Sequence, residues 1–112
     1  MGLDMYLFPK RKGESVEKIV EEFDYVAYWR KNYDLDHLFL HNGVPTKEPD
    51  QYIIERQLLI NLLDQEIKDY IALPLNDDWY EYESSVKKDE IDQLLKVLHE
   101  NKEDKFIYVA SR

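Results

Sequence analysis

Both ends of this 112-residue chain read as strand, while the sequence between them spaces its apolar residues as helices do. Leu3, Met5 and Leu7 alternate with Asp4, Tyr6 and Phe8, a period of two that sends successive side chains to opposite faces of a sheet. Both faces carry apolar groups, so this strand should be at least partly covered on each side, and Pro9 is expected to end it. Phe106-Ile107-Tyr108-Val109 is a second β-rich run, predicted to pair beside the first because the two flank the helical segments. The expected fold is therefore α+β. It is a single small domain over residues 1–112, with three or four helices packed on a small antiparallel sheet that pairs the N- and C-terminal strands.

Between the terminal strands, Gly13 and Ser15 offer a loop and an N-cap. A first helix should follow, its apolar residues Val16, Ile19, Val20, Phe23, Val26 and Ala27 recurring every three or four positions. The residues leave open whether it continues into Trp29 or breaks near Asp24, because the aromatic and β-branched residues there lower helix propensity slightly. Asp34 is expected to cap a short second helix over His37, Leu38, Phe39, Leu40 and His41, which Asn42-Gly43 closes. Gly43, Pro45 and Pro49 mark a loop, and Tyr52-Ile53-Ile54 a short strand. Leu58, Leu59, Leu62, Leu63, Ile67, Tyr70 and Ile71 form the stripe of a strong helix that Pro74 terminates. Residues 77–83 read as a weak strand or as a loop leading to Ser84-Ser85, the expected caps of a last helix buried through Ile91, Leu94, Leu95 and Leu98.

Composition narrows the function classes. With 24 acidic and 15 basic residues the net charge is −9, the wrong balance for a groove that neutralises phosphates, so conventional nucleic-acid binding is not expected. The basic run Lys10-Arg11-Lys12 reads as a solvated loop. There is no cysteine, which removes disulfides, thiolate metal sites and cysteine nucleophiles and fits a cytoplasmic setting. No membrane span or export signal is expected.

Three constellations carry possible chemistry. His37 and His41 share one side of a helix at a spacing used by zinc sites, but Leu38 stands where the metalloprotease pattern needs glutamate, and ordinary surface histidines are the simpler reading. Trp29, Arg30, Asn32 and His37 combine an indole that stacks, a guanidinium that grips a carboxylate or phosphate, an amide and an imidazole, a set suited to a small-anion pocket. Against that, Trp29 can be a core anchor, Arg30 the partner of a carboxylate, and Asn32 the end of a helix. Asp77, Asp78, Glu81 and Glu83 around Trp79, Tyr80 and Tyr82 make an acidic aromatic edge that suits protein binding better than glycoside hydrolysis, which needs two carboxylates across a cleft. No Gly-rich phosphate loop or nucleophile elbow is present.

Several segments, taken together and in order, resemble a family of small phage and prophage proteins of unknown function. They are Met1-Gly2-Leu3-Asp4-Met5-Tyr6-Leu7, Ala27-Tyr28-Trp29-Arg30-Lys31-Asn32 with His37 and Phe39 after it, Asp78-Trp79-Tyr80, and Tyr108-Val109-Ala110-Ser111. Members typically open with Gly-Leu-Asp-Met-Tyr-Leu and carry Tyr-Trp-Arg-Lys-Ala-Asn leading to a histidine and an aromatic residue. This chain lacks the alanine between Lys31 and Asn32, sets its histidine one position further from Trp29, and has Arg112 where relatives often have tryptophan. The resemblance implies a phage or prophage setting and supplies no activity.

The resulting expectation is a non-enzymatic accessory protein that binds a host or phage protein, an acidic anti-defence inhibitor being its sharper form. Its expected contact residues are Trp29, Arg30, Asn32, His37, Asp78, Trp79 and Tyr80, with no catalytic residue, metal or cofactor. A small-ligand or enzyme pocket around Trp29, Arg30, Asn32 and His37 is the alternative, and a homodimer remains open.

Overall fold

The structure is a computed structural model that describes residues 2–22, 24–72 and 78–112, with side chains described outside 67–88. Its strands are β1 (Asp4–Lys10), β2 (Ala27–Arg30), β3 (Val44–Pro45), β4 (Gln51–Glu55) and β5 (Lys105–Ser111). Its helices are α1 (Val16–Glu22), α2 (Tyr33–Asn42), α3 (Arg56–Ala72) and α4 (Asp78–Glu100). The strands form one antiparallel sheet in the order β2-β1-β5-β4-β3. The terminal strands pair as expected, from Asp4 opposite Ser111 to Lys10 opposite Lys105.

Because β1 and β5 are interior strands, both of their faces are apolar. Met5, Leu7, Phe106, Tyr108 and Ala110 face α2, α3 and α4 and join Phe39, Leu59, Leu63, Leu94 and Leu98 in the main core. On the other face, Phe8 and Ile107 pack on Ile19 of α1. That helix is short and covers only part of its side of the sheet.

β1 runs through Pro9, which the sequence reading placed at its end. The carbonyls of Leu3 and Leu7 accept hydrogen bonds from Lys31 and Val26 at 2.7 and 2.8 Å, so the odd-numbered backbone groups of β1 aim at β2. Pro9 has the same parity and lies beyond Leu7, the last residue paired with β2, so its missing N–H removes no bond from that ladder.

The first helix is shorter than its apolar spacing suggests. Ser15 does cap it, its Oγ accepting from the Lys18 N–H at 3.2 Å. The helix stops at Glu22, and Ala27–Arg30 becomes β2, with Tyr28 opposite Tyr6 and Trp29 opposite Met5. Aromatic residues favour a pleated, half-buried surface, and pairing with β1 decides the matter here.

Lys31 adopts φ 56°, a left-handed turn that ends β2 and leads into α2. Asn32, rather than Asp34, is the N-cap of α2, its Oδ1 accepting from the Leu35 N–H at 3.2 Å. Asp34 and Asp36 occupy the first turn, where the helix dipole favours negative charge. Gly43 closes α2 by donating its N–H to the Phe39 carbonyl at 2.8 Å. A Cβ on Gly43 would sit 2.8 Å from that oxygen and 2.9 Å from the Tyr52 Cβ, so only glycine lets α2 meet β4 this closely.

Arg56 joins the last two helices to the sheet. Its backbone N–H donates to the Asp104 carbonyl at 2.8 Å, and its Nε donates to the carbonyls of Leu98 and Asn101 at 2.8 and 3.2 Å, which satisfies the C-terminal end of α4. α4 starts at Asp78, so Ser84 and Ser85 lie inside a helix instead of capping it. Pro74 and Asp77 lie outside the described residues. No described helix is long and apolar enough to cross a membrane.

Candidate functional site

The partly covered sheet face carries an aromatic cluster. Tyr6 on β1 and Tyr28 on β2 are cross-strand partners, and Tyr25 approaches from the segment leading into β2. Their ring centroids lie 5.3 Å (Tyr6–Tyr25), 5.2 Å (Tyr6–Tyr28) and 6.0 Å (Tyr25–Tyr28) apart, in tilted or edge-on arrangements that suit ring quadrupoles. Phe8 meets Tyr25 edge-on at 6.4 Å and ties the cluster to the small core under α1. Tyr25 and Tyr28 nevertheless remain 50% and 44% exposed. The Tyr28 hydroxyl donates to Asp4 Oδ1 at 2.7 Å, and that bond is the main reason its pKa lies above the ordinary tyrosine value. Arg30, exposed and two residues beyond Tyr28 on the same strand, adds a cation to this face.

Trp29 points the other way. It is 8% exposed and packs in the main core with its ring 6.2 Å from Phe39. Strand alternation therefore puts Trp29 and Arg30 on opposite sides of the sheet. Asn32 and His37 belong to a third place, the mouth of a cavity between α2, α3 and α4 of about 330 Å³. The four residues expected to share one pocket do not converge; only Asn32 and His37 meet. The Asn32 amide caps α2 with its oxygen and donates through Nδ2 to Glu90 Oε2 of α4. Burial raises the Glu90 pKa, the charge of Asp34 adds to the rise, and the Asn32 bond opposes it.

His37 and His41 are exposed and stacked with centroids 5.9 Å apart. Among the described residues no group of three or more His, Asp and Glu side chains is arranged to hold a metal ion. Asp78, Trp79 and Tyr80 fall in the first turn of α4, and their side chains lie outside the described residues.

Sequence reasoning missed a polar network that joins distant parts of the chain. Asp36 is 3% exposed, accepts the Tyr108 hydroxyl at 2.5 Å, and takes both terminal nitrogens of Arg112 at 2.9 and 3.0 Å. Arg112 Nε also donates to Asp50 at 2.8 Å. Tyr108, fully buried and stacked on Phe39 at 4.2 Å, has its hydroxyl pKa pushed well up by burial and then by Asp36. These residues lie on α2, β5, the position just after β5 and the turn before β4, and nothing local in the sequence marks them as partners. The tyrosine cluster was half visible, since Tyr28 belongs to the aromatic run around Trp29; Tyr6 and Tyr25 join it only through β1–β2 pairing.

No protein-family model, curated protein or solved structure matches this chain.

Proposed function

We propose that this chain is a non-enzymatic binding protein whose contact face is formed by Tyr25, Tyr28, Tyr6 and Arg30 and whose partner is a host or phage protein. The single observation that carries the reading is the cluster of three tyrosines with two rings about half exposed on a sheet face that α1 leaves partly open. Tyrosine and arginine are the residue types that most often anchor protein interfaces, because each combines a large contact area with directional hydrogen bonding. A phage or prophage accessory role, in the cytoplasm of the host cell, draws its support from the ordered sequence segments and the lack of cysteine. The net charge of −9 supports the finer reading of an inhibitor that meets a basic partner surface.

The test is affinity purification from prophage-bearing or infected cells with wild type and the Tyr25→Ser/Tyr28→Ser double variant. The expected outcome is a partner retained by wild type and lost by the variant, with the variant still folded by circular dichroism at the temperature of the experiment. A partner held equally by both proteins rules out this face. Raising salt should weaken the complex if its partner is basic.

A further inference from the structure

The geometry points to a second site, in the cavity between α2, α3 and α4, and we propose that it binds a small organic cation: an ammonium carried on a hydrocarbon body. This site is independent of the tyrosine face and lies across the sheet from it.

Shape and chemistry agree on that ligand. At about 330 Å³ the cavity has the size of a small-molecule site. Leu35, Leu38, Leu62 and Ile91 line it from three helices, giving an apolar surface for a hydrocarbon chain or ring. Its ionisable lining is one-sided. Asp34, Glu66 and Glu90 come from α2, α3 and α4 respectively, and among the described residues no lysine or arginine lines the cavity. Glu90 is the most specific element. It is half-buried, its position is fixed by the Asn32 amide, and among the described residues no cation pairs with it. A carboxylate held in a partly desolvated position is stabilised by an incoming ammonium, which supplies an opposite charge and N–H donors. An anionic ligand of the same shape would meet the Glu90 carboxylate. A neutral one would leave Glu90 uncompensated. The imidazoles of His37 and His41 stand at the rim, where they accommodate a flat or apolar body and, with no third ligand grouped beside them among the described residues, do not define a metal site.

The experiment is a titration of the full-length chain at pH 7 with n-hexylamine, n-hexanol and hexanoate, followed by backbone amide chemical shifts. The amine should bind at least ten-fold more tightly than the alcohol, and hexanoate should not bind. Shifts should concentrate at Asn32–Asn42, Leu62–Leu63 and Glu90–Ile91. Glu90→Gln, which keeps the shape and the acceptor for Asn32, should remove the ten-fold preference for amine over alcohol, and Asp34→Asn should reduce it. Leu38→Trp, which fills the cavity, should abolish binding of both. Equal binding of amine and alcohol, a preference that survives Glu90→Gln, shifts that map to another surface, or no binding at millimolar amine would each overturn the proposal.

Discussion

At the scale of single residues the strongest commitment in the molecule is Asp36. A carboxylate with 3% exposure is costly to bury unless each oxygen is engaged, and here Tyr108 and the two terminal nitrogens of Arg112 engage both. The paired geometry with Arg112 is of the bidentate kind that lysine cannot reproduce. Arg112→Ala leaves Asp36 with the Tyr108 hydroxyl alone. It should destabilise the protein by about 3 kcal/mol, at the lower end of the cost of removing one partner from a buried pair, since the guanidinium side chain is itself 38% exposed. Urea unfolding at pH 7 measures this, and a loss below about 0.5 kcal/mol would show the pair to behave like an ordinary surface contact. Trp29 has a comparable structural weight through burial alone, which is why its indole is unavailable as a contact residue despite its place in the most distinctive run of the sequence.

At the scale of elements, the Asn32 and Glu90 contact links the start of α2 to α4. It also carries a pH dependence. The folded state raises the Glu90 pKa above the ordinary 4.5, so folding holds its proton more tightly than the unfolded chain does. The stability this contributes is fully present below the unfolded value and is lost as pH rises through the raised one. Glu90→Gln does not ionise, so it should melt higher than wild type at pH 7, and the difference should shrink as pH falls through the raised value and be closed below about 4.5. Paired thermal melts between pH 3 and 7 check the sign; a gap that widens toward low pH would contradict it. The same scale explains how β2 was hidden. Val26 and Ala27 continue the helical spacing of α1, and local propensity between helix and strand is nearly balanced there. Pairing with Met5, Tyr6 and Leu7, about twenty residues away, tips the segment into the sheet.

Across the whole molecule, stability is expected to follow the sheet order. β1 and β5 are interior strands, packed fully on one face and partly on the other and paired with each other along seven positions, whereas β2 and β3 are edges and β3 has two residues. Hydrogen exchange should therefore be slowest for the inward-bonded amides of β1 and β5 and faster by orders of magnitude in β3, as expected when edges open locally and the centre only on global unfolding. Uniform protection across the sheet would argue against that hierarchy. The sequence by itself determined the α+β class, the pairing of the terminal strands, α2 with its Asn42-Gly43 stop, the strand at Tyr52–Ile54, the burial of Leu59 and Leu63 on α3, though not of Leu58, which is exposed, and the buried side of α4. These follow from apolar periodicity and turn chemistry, which act over a few residues. Only the tertiary structure decided that Trp29 is core while Arg30 is surface, that Tyr6, Tyr25 and Tyr28 form one cluster, that Asn32 and His37 share a cavity with Glu90, and that Asp36 meets Arg112. Each of those facts depends on which strand becomes whose neighbour and which helix covers which face. That choice is made by long-range burial and pairing, and no window of neighbouring residues contains it.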